Sequence, residues 1–76
     1  MRTITDQVQL KIKNQDYLVE YVANHGYDNY YSDDFFEFES LNVYKVNDDL
    51  TETKVDLEYN KSLESIVINR LIEMLR

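Results

Sequence analysis

Phe35-Phe36-Glu37-Phe38-Glu39-Ser40-Leu41-Asn42-Val43-Tyr44-Lys45-Val46 is the stretch on which the fold turns. Apolar and polar residues alternate along it, which marks a strand, but they do so in two phases. Phe36 and Phe38 fall on one face, then Leu41 and Val43 on the other, and the phase flips near Glu39-Ser40. A flip of this kind predicts a β-bulge, or a strand whose two faces are both partly covered. Residues 35–46 are therefore expected as one strand of an antiparallel sheet.

Working upstream, Val8 to Tyr21 reads as a hairpin turning at Asn14-Gln15, with strands over 8–13 and 16–23. That register pairs Lys13 with Asp16, Ile12 with Tyr17, Leu10 with Val19 and Val8 with Tyr21, so the apolar pairs share a face. The rival reading makes residues 15–24 a helix capped by Asn14 and stopped at Asn24-His25-Gly26. Tyr17, Val19, Tyr21 and Val22 are strand formers and favour the hairpin. Downstream, Asn47-Asp48-Asp49 is a turn by composition, and Thr53, Val55, Leu57 and Tyr59 alternate with charged residues as a last strand over 52–59.

From Lys61 the period changes. Leu63, Ile66, Val67, Leu71, Met74 and Leu75 recur at helical spacing behind Asn60 or Ser62 as cap, predicting a helix over 61–75. Packing on the sheet accounts for Leu63, Val67, Leu71 and Met74. Ile68 and Ile72 lie beside that stripe, and either a homodimer contact or burial under Ile4 to Val8 would cover them. The expected class is α+β: a small antiparallel sheet of three to four strands with one C-terminal α-helix packed on one face, in a single domain over residues 1–76.

The chain's 76 residues lie near the lower limit for an unaided core, so extra burial by self-association is a natural expectation. There is no cysteine, which removes disulfides, thiolate metal sites and a cysteine nucleophile. A hydrophobic fraction of 43% argues for a packed core in spite of the charge. The N-terminal residues carry no apolar run of the signal-peptide kind and no stretch has the ~20 apolar residues that span a bilayer, so the expectation is a cytoplasmic protein with no membrane partner.

The formal charge of −7 resides in one stretch. From Asn14 to Tyr44 there are seven acids, Asp16, Glu20, Asp28, Asp33, Asp34, Glu37 and Glu39, and no lysine or arginine; elsewhere eight acids face eight bases. Within it, Tyr27 to Glu39 interleaves six aromatics with five carboxylates. Such a balance repels nucleic acid and anionic lipid and attracts a basic protein surface, which includes the surface of a nucleic-acid-binding protein. The candidate partner-binding residues are Tyr27, Asp28, Tyr30, Tyr31, Asp33, Asp34, Glu37 and Glu39, the rings as anchors and the acids for steering. The plainer reading is a solvated hairpin loop whose rings pack back on the sheet, with Phe35, Phe36 and Phe38 in the core.

Enzyme chemistry finds little support. His25 is the single imidazole, and Ser32, Ser40, Ser62 and Ser65 sit in no recognisable nucleophile setting. One glycine, Gly26, rules out a glycine-rich phosphate loop, and His25-Gly26 reads as turn chemistry. An EF-hand loop begun at Asp28 fails at its third and sixth positions, Tyr30 and Asp33. No catalytic residue, cofactor or metal is expected.

The strand Phe36-Glu37-Phe38-Glu39-Ser40-Leu41-Asn42-Val43-Tyr44, the short Val55-Asp56-Leu57 segment and the amphipathic helix from Ser62 together resemble small uncharacterised accessory proteins encoded in bacteriophage genomes. The likeness covers residues 17–76 as a pattern. It implies a viral accessory product acting in the host cytoplasm, a class that includes acidic inhibitors of host defence or repair enzymes. No residue role is transferred by it. A self-assembling structural module, acting as a homo-oligomer through Ile68 and Ile72, is the alternative.

Overall fold

The computed structural model describes residues 2–30 and 33–76, and of Asp28 and Asp33 the backbone alone. Four antiparallel strands, β1 (Arg2–Ile12), β2 (Gln15–Asp28), β3 (Asp33–Val46) and β4 (Glu52–Lys54), form one sheet in the order β1-β2-β3-β4. A single helix, α1 (Lys61–Leu75), follows. This is the small α+β arrangement expected. Residues 15–24 are strand, not helix.

The first turn lies one residue earlier than expected, at Lys13-Asn14 in place of Asn14-Gln15. Both residues have positive φ, 51° and 65°, as a two-residue hairpin turn matched to strand twist requires. Ile12 therefore pairs with Gln15, Leu10 with Tyr17, Val8 with Val19 and Asp6 with Tyr21. Every pair is displaced by two positions from the expected register. Two is also the side-chain period of a strand, so each residue keeps its face and the core is unaffected. Gln15, freed from the turn, donates from Nε2 to the Val46 carbonyl at 2.7 Å and ties the turn end of β2 to the end of β3. β1 also runs further than residues 8–13, reaching Arg2 opposite His25.

The two-phase strand resolves as a bulge. Val22 pairs with Ser40 and Ala23 with Phe38, which leaves Glu39 as the extra residue. The insertion turns Phe38 and Phe36 onto the face of Leu41 and Val43, where Phe38 meets Tyr21 edge-on at 6.2 Å between centroids.

The last strand is shorter than the expected 52–59. Only Glu52–Lys54 pairs with β3, followed by one further bond from the Val55 N–H to the Val43 carbonyl at 2.8 Å. Asp56 then ends it: its Oδ1 accepts the Glu58 N–H at 3.0 Å and its carbonyl accepts from Tyr59 N–H at 3.2 Å and Asn60 Nδ2 at 2.8 Å. A local side-chain turn outcompetes the ladder. Val55 and Leu57 still tuck against the core, while Tyr59 is exposed. Asn60 is the N-cap of α1 by backbone, its side chain being committed to Asp56.

Leu10, Ile12, Val19, Tyr21, Ala23, Val43, Val67 and Leu71 form the buried core, with Leu63, Ile66 and Leu75 packed around it. Burial, and secondarily the Asp6 carboxylate on the neighbouring strand, push the Tyr21 hydroxyl above its ordinary pKa. Met74 departs from its expected core position and is 53% exposed. The sheet is also much longer than the helix. Fourteen residues of β2 at about 3.3 Å each span roughly 46 Å, which matches a long axis of 47 Å; fifteen helical residues span only about 22 Å. The helix begins beside the first turn, where Leu63 and Ile66 share a hollow with Ile12 and Tyr17. The buried β2 residues of the core that it covers extend as far as Ala23. Beyond its end the sheet continues as a bare shelf.

Candidate partner-binding surface

The shelf is built by the far half of the β2–β3 hairpin, and the pairing decides which residues share a side. Directly paired residues face the same way, so the helix side carries His25, Tyr27, Asp34 and Phe36, continuing from buried Ala23 and half-buried Phe38. The outer side carries Asn24, Gly26, Phe35 and Glu37, continuing into Val22, Ser40, Glu20 and Asn42. Glu39 is the bulge residue between these halves, and it is exposed.

The eight sequence-predicted site residues therefore do not converge on one patch. Glu37 and Glu39 are exposed at the outer side and bulge; Tyr27 and Asp34 sit across the sheet from Glu37, on the helix side; Tyr30 is in the turn. The backbones of Asp28 and Asp33 pair with each other where the strands meet the turn, and Tyr31 lies outside the described residues, as does Ser32. The rings that are described do stand in solvent, Tyr27 at 57% and Tyr30 at 87% exposure. They do not fold back on the sheet.

On the helix side the single imidazole is built into the strand, not a turn. His25 Nε2 lies 3.0 Å from Asp34 Oδ1, and its ring stacks on Phe36 at 4.7 Å with an 11° interplanar angle. On the outer side Phe35 is exposed, which corrects its expected place in the core. Its ring lies over Gly26 so closely that a Cβ there would be 2.3 Å from the ring's Cζ. Gly26 thus serves as a ring seat, a role that glycine in a strand commonly takes when an aromatic from the next strand covers it. Phe36 and Phe38 are half-buried on the helix side.

Two contributors escaped the sequence reading. Glu20 belongs to the outer side with Glu37, in a shallow hollow with Thr5, Gln7, Val22 and Ser40. Alternation along β2, counted across the bulge, is the signal that joins them. Phe35 was missed because an exposed aromatic over a glycine needs the cross-strand pairing to be known. Ile68 and Ile72, the candidate oligomer contacts, are half-buried on the flank of α1. Among the described residues no group of three or more metal-binding side chains occurs, and no helix is long and apolar enough to cross a membrane.

No protein-family model, curated protein or solved structure matches this chain.

Proposed function

We propose that the protein is a non-enzymatic acidic binding protein, of the bacteriophage accessory or inhibitor kind, that engages a basic site on a partner protein in the host cytoplasm. The observation that carries this reading is the outer side of the projecting hairpin. There Glu37 and Glu20 lie on one continuous surface with exposed Phe35, and the bulge residue Glu39 stands beside them. No lysine or arginine occurs between residues 14 and 44, so that stretch supplies no lysine or arginine of its own. Carboxylates presented without counter-charge on a protruding element raise the encounter rate with a basic surface, and an exposed ring in their midst supplies the desolvated contact that steering alone does not. Tyr30, at the tip, is the second exposed anchor.

The Glu37→Lys, Glu39→Lys variant, checked for unchanged circular dichroism, tests it beside the wild type in affinity capture from bacterial lysate. Captured partners should be basic, should be lost with the variant, and should be released as salt rises past the point where the Debye length falls below about 8 Å. Partners that survive both charge reversal and salt sink the proposal.

A further inference from the structure

The sheet leaves one edge of β3 open. β4 pairs with it only at Tyr44, Lys45 and Val46, the Val55 N–H adds one bond to the Val43 carbonyl, and Asp56 then turns the chain away. Upstream of Val43, among the described residues, β3 is paired with β2 alone. The Val43 carbonyl is directed at Val55, and alternate residues of an antiparallel ladder point the same way. The N–H and carbonyl of Leu41 therefore face the open edge. From Phe35 to Asn42 it runs for about 27 Å at about 3.3 Å per residue, a row of backbone donors and acceptors of the kind that templates another strand.

The two faces beside that edge differ in chemistry. On the helix side Phe36, Phe38 and Leu41 form a half-buried apolar row. On the other side of the strand Glu37 is exposed, and the bulge adds the exposed Glu39 next to Ser40. No lysine or arginine occurs from residue 35 to 42. Asp34, one position upstream, has its Oδ1 3.0 Å from His25 Nε2. At the other end Lys54 shares a hollow with Asp56, Glu58 and Glu64, and Lys61 lies 3.9 Å from Glu64.

We infer that this edge takes up an extended segment of the partner protein in which basic and apolar residues alternate, adding it to the sheet as a strand in line with β4. The inference rests on the acidic binding function proposed above and adds how the partner is held. In strand addition the backbone ladder supplies affinity and alternate side chains supply specificity. Paired residues share a face, so the segment's apolar residues extend the row of Phe36, Phe38 and Leu41, and the bases between them lie beside Glu37 and Glu39. A second copy offers β1, the sheet's other edge, as a competing occupant. Its charges do not fit: β1 sets Asp6 on the helix side and carries only Thr3, Thr5, Gln7 and Gln9 on the outer side before Lys11. The β1 edge is in turn the wrong place for a basic segment, because Arg2 and Lys11 outnumber Asp6 there.

Two capped peptides of equal length test the inference, one alternating lysine with valine and the other lysine with proline. They carry the same charge, but the second lacks the alternate N–H groups that a ladder needs. Added to the full chain, the lysine-valine peptide should bind about 10-fold more tightly or better by calorimetry. It should also slow hydrogen exchange at the Leu41 amide, and the Glu37→Lys, Glu39→Lys variant should lose it. Equal binding of both peptides, abolished by the charge reversal, overturns strand addition and leaves the acidic binding function standing. Lysine-valine binding that survives the charge reversal overturns both. Binding of neither peptide, or protection along β1 in place of Leu41, overturns the inference as well. So does a wild type that sediments as an oligomer with its Leu41 amide already protected, since a second copy then holds the edge.

Discussion

Leu50 holds φ at 70° with its side chain 83% exposed, a conformation that costs a branched residue about 1–2 kcal/mol. Closure of the turn imposes it. Asn47 N–H donates to the Thr51 carbonyl at 2.8 Å, Leu50 N–H to the Asn47 carbonyl at 2.9 Å, and Asn47 Nδ2 reaches the hydroxyls of Thr51 and Thr53 at 3.0 Å each. Leu50→Gly relieves the crowding but adds freedom to the unfolded chain, so the net gain should be about 0.5 kcal/mol; a lower urea midpoint would contradict this account. Asp49 completes the turn. The Thr51 hydroxyl, donating at 2.6 Å, and then the Thr51 amide at 3.1 Å hold its carboxyl below the ordinary 3.8. A depressed folded value means a contribution fully present above the unfolded pKa and lost as pH falls through the folded one. Thr51→Val keeps the amide but removes the hydroxyl, and the Asp49 titration followed by NMR should then shift upward toward 3.8. An unchanged midpoint would show that the hydroxyl is not the cause. Asn47-Asp48-Asp49 announced this turn in the sequence. Leu50 did not, because leucine has no preference for positive φ and takes it here under constraint from its neighbours.

At the scale of elements, β3 shows what a periodicity can and cannot say. The phase flip at Glu39-Ser40 was legible, but choosing between a bulge and a doubly covered strand required the pairing partner, since only Ala23 opposite Phe38 reveals the extra residue. Deleting Glu39 should therefore restore regular pairing without moving the rings. The deletion places Phe38 next to Ser40 and still opposite Ala23, so Phe36 and Phe38 stay on the helix side and Glu37 on the outer side, and stability should change by no more than about 1 kcal/mol. Chemical denaturation should report a stability near wild type, while a loss of roughly 1.5–3 kcal/mol, the cost of exposing Phe38, would mean that Glu39 is not the extra residue. The helix was legible from its 3.6-residue stripe, and Val67 and Leu71 are fully buried as that stripe requires. Met74 was not, because the stripe carries no information on which of its residues the sheet leaves uncovered. β4 failed for a different reason: Val55, Leu57 and Tyr59 keep strand alternation, but the side chain of Asp56 captures the backbone first.

The whole molecule divides into a covered half and an uncovered one. Only eight described residues are buried, six on the strands in the covered half and two on the helix itself. A domain of this length has a global stability of roughly 4–11 kcal/mol, and local opening always costs less where few apolar contacts oppose it. The far hairpin, over residues 24–27 and 34–37, has half-buried or exposed side chains throughout, and the acid-only run extends along it. Glu37 and the bulge residue Glu39 follow one another closely along β3, and like charges along so short a stretch disfavour its compact form. Two consequences should appear together in native-state hydrogen exchange. Amides of residues 24–27 and 34–37 should exchange faster than those of 17–21 and 41–43, by a factor of about 10 or more for each ~1.4 kcal/mol difference in opening free energy. Raising salt from 0.01 M to 1 M, which shortens the Debye length from about 30 Å to 3 Å, should then protect the far amides while leaving the covered ones nearly unchanged. Uniform exchange along the hairpin would mean that the sheet opens as one unit. Salt that acted equally on both halves would place the repulsion in the molecule's net charge, with no special share for the hairpin, and the acids there would lose their claim to be a directed surface.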